Sequence, residues 1–233
     1  MNTKNISIFI LSGGFGTRLQ GILGKNTPKP MADVNGVPFL VHKITQIRNY
    51  FPDNHIYLLT HYLSEYIEKY FEQDVNITCI KEDSPLGTGG SIKNAINTLD
   101  LKKNDRLLVF NGDTYLNPDL KKLLHVTHND ISIVACFCKK SLRFNTLNIS
   151  NNKIVKFLDK GSSASTNYIN GGCYYFDNLN YLKSIKSNIF SIEEKFKELV
   201  ADTPIGVLTY NDIFIDIGVP EDYTKIQKLG LNE

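Results

Sequence analysis

The chain has 233 residues, enough for one α/β domain with a large core or for two small ones. Its 26 basic and 24 acidic residues leave a formal net charge of +2 with no long Lys/Arg run, which argues against a nucleic-acid protein. No apolar stretch approaches the length of a membrane span and no signal-type N-terminus is present, so the expected location is cytoplasmic with no membrane partner.

Residues Ile6–Leu11 form a short apolar run, expected as a strand buried in a parallel sheet. Ser12, Gly13, Gly14, Phe15, Gly16, Thr17 and Arg18 follow at its carboxyl end. Three glycines in four positions let the backbone turn sharply and turn main-chain N–H groups toward an anion. Lys29 comes across a short loop, with Pro28 and Pro30 restricting the backbone on both sides of it. A flexible turn accounts for the glycines alone. A glycine cradle with two held cations suits a triphosphate. The dinucleotide fingerprint fails because Leu19 stands where its third glycine belongs, and the Walker loop fails because Ile22 follows Gly21.

Pro38 opens a helical stretch that ends before Pro52. Residues 55–60 read as a strand, Ser64–Phe71 as an amphipathic helix and 76–80 as a strand. This β-α-β-α-β alternation predicts a doubly wound sheet with helices on both faces, whose ligands lie beyond the carboxyl ends of the strands. Next, Glu82 to Ser91 includes Pro85, Gly87, Thr88, Gly89 and Gly90, which again brings backbone close to something at a strand end. A plain turn before a helix from about 91 to 98 is the alternative. Residues 105–110 form a strand ended by Asn111, Gly112, Asp113 and Thr114. Asp113 either caps a turn or offers a carboxylate to Mg²⁺, which binds through one or two carboxylates plus substrate phosphates.

Beyond this point a helix over 119–128 and a strand over 131–139 are expected. Two short strands, 144–150 and 153–158, are joined by Asn151 and Asn152 as a hairpin. Cys136 and Cys138 fall on one strand face, and together with Cys79 and Cys173 they show no zinc-type spacing; buried thiols acting as small hydrophobes are expected. His125 and His128 have no acidic or cysteine companion and read as a surface pair. Asn170, Gly171 and Gly172 precede a strand over 173–176 and leave room for a hydroxyl to meet the asparagine. Ser191 to Glu194 has the Ser-x-x-Glu form of a capping box, with a helix over 193–200. Asp216 stands between Ile215 and Ile217, where an ionised group is costly without a partner, and a metal would explain it. A closing helix follows.

Leu11-Ser-Gly-Gly-Phe-Gly-Thr-Arg18, Pro28-Lys-Pro-Met31 and Val34-Asn-Gly-Val-Pro38 together resemble the signature of the sugar-1-phosphate nucleotidyltransferases. The resemblance implies an α/β, Rossmann-like doubly wound mixed sheet of the nucleotide-diphospho-sugar transferase type with an inserted sugar-binding lobe. It implies a single domain, with a nucleotide-binding half of about 1–117 and a sugar-binding half of about 118–233. Leu11, Ser12, Gly13, Gly14, Gly16 and Thr17 would hold the triphosphate, and Glu82, Pro85, Gly87 and Thr88 the base. Arg18 and Lys29 would be catalytic, and Asp113 and Asp216 would carry Mg²⁺. Asn111, Asn145, Lys160, Asn170, Gly171 and Glu193 would meet the sugar phosphate. The family's Glu-Lys-Pro stands here as Asp159-Lys160-Gly161, and its Arg-Tyr-Gly as Arg143-Phe144-Asn145.

Glu82 occupies the place of a glutamine in thymidylyl relatives. A carboxylate only accepts, which suits the adjacent N1–H and 2-amino donors of guanine and favours GTP, unless a main-chain group reads the base. Within the family, residues 28–40, 111–115, 190–193 and 214–223 most resemble the D-glycero-α-D-manno-heptose 1-phosphate guanylyltransferases. The implied reaction joins GTP to a heptose 1-phosphate for surface polysaccharide. The alternatives are mannose 1-phosphate with GTP, glucose 1-phosphate with dTTP or UTP, and a non-catalytic nucleotide-sugar sensor. A sensor has no need of Arg18, Lys29, Asp113 and Asp216 together, and all four are present. Twofold assemblies being the commonest, a homodimer is the expected assembly, though no residue specifies it.

Overall fold

The computed structural model describes residues 5–126, 130–139, 143–159 and 167–231. In chain order the first elements are β1 (Ile6–Leu11), α1 (Gln20–Leu23), β2 (Asp33–Val34), β3 (Val37–Pro38), α2 (Phe39–Tyr50), β4 (Ile56–Thr60), α3 (Ser64–Phe71) and β5 (Ile77–Lys81). Then come α4 (Gly87–Thr98), β6 (Arg106–Asn111), β7 (Thr114–Tyr115), α5 (Leu120–Leu124), β8 (Ile131–Phe137), β9 (Thr146–Ser150) and β10 (Lys153–Leu158). The last are β11 (Tyr168–Phe176), α6 (Asn180–Ser184), α7 (Ile192–Leu199), β12 (Ile205–Tyr210), β13 (Ile215–Asp216) and α8 (Pro220–Leu229).

The chain divides into two compact units. One takes Met1–Pro85, Phe110–Tyr115 and Ile215–Glu233, the other Leu86–Val109 and Leu116–Phe214. The expected halves, 1–117 and 118–233, cut the chain once. The units interleave, because the last strand and helix join the N-terminal part.

In the first unit the consecutive side chains of Ile8, Phe9 and Ile10 are all buried, as a strand covered on both faces requires. Strand β1 pairs parallel with β4 and β4 parallel with β5, in the order β5-β4-β1. The β-α-β-α-β reading therefore holds. Helix α2 starts directly after Pro38 and buries Phe39, Leu40, Ile44 and Ile47 at helical spacing. The C-terminal segment closes the unit. Ile215, Ile217 and Ile226 bury themselves with Ala32, Val34 and Phe39, and Gln227 Nε2 donates to the Asp33 carbonyl at 2.6 Å.

The second unit holds a mixed sheet in the order β11-β8-β12-β10-β9. Strand β12 runs parallel to β8, while β11 with β8, and β10 with β12 and β9, are antiparallel. The hairpin turns at Asn151 and Asn152, with φ of 49° and 56°, the paired left-handed geometry of a two-residue turn. Phe196 of α7 packs its ring against Phe157, Tyr174 and Phe176.

Several expectations shift. The strand expected over 173–176 begins at Tyr168, and its register slips between Asn170 and Tyr174. Gly171 sits in that irregularity, where a Cβ would lie 2.7 Å from Cys136 Sγ. Helix α4 begins at Gly87, a turn earlier than expected, and a Cβ on Gly87, Gly89 or Gly90 would strike Phe190 or the Asn188 carbonyl. Strand β12, whose Gly206 and Thr209 dilute its apolar character, was not expected. Helix α5 is capped by Asp119, whose side chain accepts from the Lys121 and Lys122 N–H groups, and it ends at Leu124. His125 is exposed, as expected; His128 lies outside the described residues. All four cysteines keep the thiol form, with Cys136 and Cys173 buried and Cys79 and Cys138 half-buried.

Candidate active site

The first unit assembles its site at the carboxyl ends of β1 and β6. The Ser12 N–H donates to the Leu59 carbonyl at 2.8 Å, tying the start of the glycine turn to β4. Gly16 adopts φ +60°, and a Cβ there would fall 2.8 Å from Lys29 Cβ. The turn's third glycine thus allows both the left-handed backbone and the close approach of the lysine. A Cβ on Gly13 would press on the His61 backbone nitrogen at 3.0 Å, whereas Gly14 faces open space. Two short 3-10 turns, Thr17–Leu19 and Lys29–Met31, carry Arg18 and Lys29; buried Leu19 and Met31 anchor them. Thr17 and Arg18 themselves are exposed.

Lys29 Nζ is ion-paired with Asp113 Oδ2 at the end of β6, with both side chains largely buried. Thr114 Oγ1 donates to the other Asp113 oxygen at 3.1 Å. Burial pushes the Asp113 carboxyl up, but the ammonium of Lys29 and the bond from Thr114 outweigh it and hold the group below the usual carboxylate range. Asp216 lies opposite Thr114 in the β7–β13 pair, and the Ile217 N–H donates to the Asp113 carbonyl at 3.0 Å. The Gly218 N–H donates to Asp216 Oδ1 at 2.8 Å. A Cβ on Gly218 would meet Asp216 Oδ1 at 2.8 Å and Arg18 Nη2 at 3.3 Å, so that glycine keeps space between a carboxylate and a guanidinium. Arg18, Lys29, Asp113 and Asp216 are therefore brought together.

Among the described residues no group of three or more His, Cys, Asp or Glu side chains could hold a metal. Asp113 and Asp216 place a pair of carboxylates near the glycine turn. That pair fits a hard divalent cation that keeps several waters and completes its shell with substrate phosphate.

Glu82 is buried at the end of β5, with its N–H on the Thr60 carbonyl at 2.9 Å and its own carbonyl 3.0 Å from His61 Nδ1. Pro85 is exposed, Leu11 half-buried, and Asn111 Oδ1 is buried with no hydrogen-bond partner among the described residues.

The second unit gathers a different set around Glu193. Glu193 Oε2 accepts from Thr88 Oγ1 at 2.7 Å and Ser191 Oγ at 2.6 Å, and Oε1 accepts from the Tyr174 hydroxyl at 3.3 Å. Burial, then the neighbouring Glu193 carboxylate, raises the Tyr174 phenol well above its ordinary value, so it stays a donor. Asn170 Nδ2 donates to the Tyr174 hydroxyl at 2.9 Å, and Asn170 Oδ1 accepts from the Gly172 N–H at 2.9 Å. Ser191 caps α7 by accepting from the Glu194 N–H at 3.3 Å, as the capping box predicts. Glu194 stays exposed while Glu193 turns inward. Gly87 has φ +74°, and its Cβ would fall 2.7 Å from the Phe190 carbonyl oxygen. Asn145 is half-buried just before β9, and Lys160 lies outside the described residues.

The family model described as Nucleotidyl transferase matches residues 7–233. The chain belongs to the nucleotidyl transferase family. This nucleotidyl transferase is 34% identical to a D-glycero-alpha-D-manno-heptose 1-phosphate guanylyltransferase of Aneurinibacillus thermoaerophilus, over 94% of this chain and 96% of that one. It is 35% identical to the enzyme of the same name from Campylobacter jejuni, over 92% and 95%. The crystal structure of HddC from Yersinia pseudotuberculosis complexed with GMP-PN superposes with a TM-score of 0.81 at 32% identity, covering 96% of this chain and 98% of that one. The mixed α/β arrangement is accordingly the nucleotide-diphospho-sugar transferase fold.

Four contributors to these clusters escaped the sequence reading: Thr114, Gly218, Tyr174 and the hydroxyl of Thr88 as a partner of Glu193. The place of Thr114 directly after Asp113, and of Gly218 two residues after Asp216, was a usable signal. The distance of 105 residues between Thr88 and Glu193 left none.

Proposed function

We propose that this nucleotidyl transferase transfers GMP from GTP to D-glycero-α-D-manno-heptose 1-phosphate, releasing pyrophosphate and giving GDP-heptose for surface polysaccharide. The likeness along nearly the whole chain to two guanylyltransferases of that name carries the reading. The gathering of Arg18, Lys29, Asp113 and Asp216 supports it.

The second pKa of a phosphate monoester is about 6, so at neutral pH the acceptor is already an anion. Its oxygen attacks the α-phosphorus as the bond to pyrophosphate breaks, and no proton has to be removed. The protein's task is to align two repelling anions and to stabilise charge at phosphorus. Main-chain N–H groups of Gly13 and Gly14, with Ser12, Gly16 and Thr17, cradle the triphosphate, while Arg18 and Lys29 screen it. Lys29 exchanges Asp113 for phosphate oxygen as substrate enters. Asp113 and Asp216 hold Mg²⁺, which supplies charge neutralisation when bound. Glu82 reads guanine, with Pro85, Gly87 and Thr88 beside the base. Asn111, Asn145, Lys160, Asn170, Gly171 and Glu193 take the sugar phosphate. A cytoplasmic homodimer belongs to the same proposal, and light scattering checks the assembly.

The test is pyrophosphate release with Mg²⁺, crossing GTP, ATP, CTP, UTP and dTTP against heptose, mannose and glucose 1-phosphates. Turnover confined to GTP with the heptose phosphate is the expected result. Turnover with another pair keeps the transfer and discards the base or the sugar. A bound nucleotide sugar without any turnover makes the chain a sensor.

A further inference from the structure

Lys93 projects from α4, four residues after Gly89 and three after Gly90, and so shares their helix face. That face is a bed for the irregular segment between α6 and α7. The Gly89 and Gly90 N–H groups donate to the Phe190 carbonyl at 3.0 and 3.2 Å, and the Phe190 N–H donates to the Leu86 carbonyl at 3.0 Å. A Cβ on Gly89 would come within 2.1 Å of the Phe190 ring, and one on Gly90 within 2.3 Å of the Asn188 carbonyl oxygen. Lys93 completes the bed. Its Nζ donates to the carbonyls of Ile185 at 2.7 Å, Ser187 at 3.0 Å and Lys186 at 3.2 Å, and to Asn188 Oδ1 at 3.0 Å.

An ammonium has three donors, here spread over four oxygens. Three of them are consecutive backbone carbonyls outside any helix or strand, so no ladder of regular structure satisfies them; Ile185 is half-buried and 186–188 are exposed, and one ammonium gathers all of them. The segment they belong to runs into Ser191, the cap of α7, and Glu193 in its first turn. The Ile192 N–H donates to Thr88 Oγ1 at 3.0 Å, closing the connection back to α4.

We infer that Lys93 is a positioning residue for Glu193: its ammonium gathers residues 185–188 onto α4 and so sets the carboxylate that the proposed reaction uses for the sugar. The inference rests on that reading of Glu193. No acid–base role is needed, only a fixed cation.

Lys93→Ala and Lys93→Met test it. With the ammonium gone the 185–188 segment loses its fixed cation, so the KM for heptose 1-phosphate is expected to rise about ten-fold or more in both variants. The KM for GTP should stay within about two-fold, the split expected when only one substrate's contacts are disturbed. n-Propylammonium, which replaces the missing side-chain atoms and the charge, should restore Lys93→Ala but not Lys93→Met, whose thioether stem fills the space. In ligand-free protein, exchange of the Gly89, Gly90 and Phe190 amides should accelerate in Lys93→Ala and slow again with n-propylammonium. Unchanged exchange, or equal KM losses for both substrates without rescue, overturns the role. Absence of turnover in the unmodified protein with every substrate pair removes the proposed function instead, and the exchange measurement still decides the part played by Lys93.

Discussion

Lys29 illustrates how much at this site depends on what a neighbour lacks. It reaches Asp113 past Gly16, whose missing side chain leaves room for the Lys29 Cβ. Lys29→Ala should lower turnover about 10²-fold or more at saturating substrates, the scale of removing one electrostatic stabiliser. Unchanged pyrophosphate release would exclude a catalytic part. Gly16→Ala keeps every charge but forces a left-handed backbone and a clash, so it is expected to lower turnover as well. The depressed Asp113 carboxyl has a consequence for stability. The unfolded group ionises near about pH 4, so the pair stabilises the fold above that pH and ceases to do so as pH falls through the lower folded value. Asp113→Asn should flatten the acid limb of a Tm-against-pH curve; an unaltered limb would contradict this. Burial, then the Glu68 carboxylate, raises the Cys79 thiol to about 11. At pH 8 little thiolate is present, so iodoacetamide should label Cys79 far more slowly than an unhindered thiol, as peptide mass spectrometry would show.

At the scale of elements, propensity was readable wherever backbone geometry and composition agreed. Two adjacent asparagines between short strands named their turn, and both take positive φ. Asn151→Ala should cost about 1 kcal/mol, because a left-handed alanine has no local side-chain hydrogen bond to offset its strain, and urea unfolding would measure it. Asp119→Ala removes an N-cap and should cost a similar amount, about 1 kcal/mol. Local propensity places the start of α4 a turn too late, because glycines disfavour helices. Their reason is tertiary. Gly87, Gly89 and Gly90 meet the 188–190 backbone and ring so closely that no side chain fits. The early part of β11 was hidden for a related reason, since the Asn170-Gly171-Gly172 irregularity exists to pass beside β8.

For the whole chain, the return of the C-terminus decides most. Ile215, Ile217 and Ile226 join the core of the N-terminal unit, and the same segment supplies Asp216. Burying three such side chains contributes about 1.5–3 kcal/mol each, comparable with the net stability of a domain. Truncation after Phe214 is therefore expected to yield insoluble or unfolded protein, read by soluble yield and near-ultraviolet dichroism. A truncated chain with a sharp thermal transition would contradict that account.

The amino-acid sequence by itself determined the parallel strands, the glycine turn and the bracketed Lys29, because each is encoded by neighbours within a few positions. A buried strand needs a continuous apolar run, an anion cradle needs adjacent glycines, and a held lysine needs flanking prolines. Only the tertiary structure decided which residues complete those features: Gly218 between Asp216 and Arg18, Thr88 and Tyr174 on Glu193, and Lys93 on the carbonyls of 185–187. Such contacts join positions far apart in the chain, and their residue types are ordinary on any helix or strand, so only the fold that brings the segments together shows what they do.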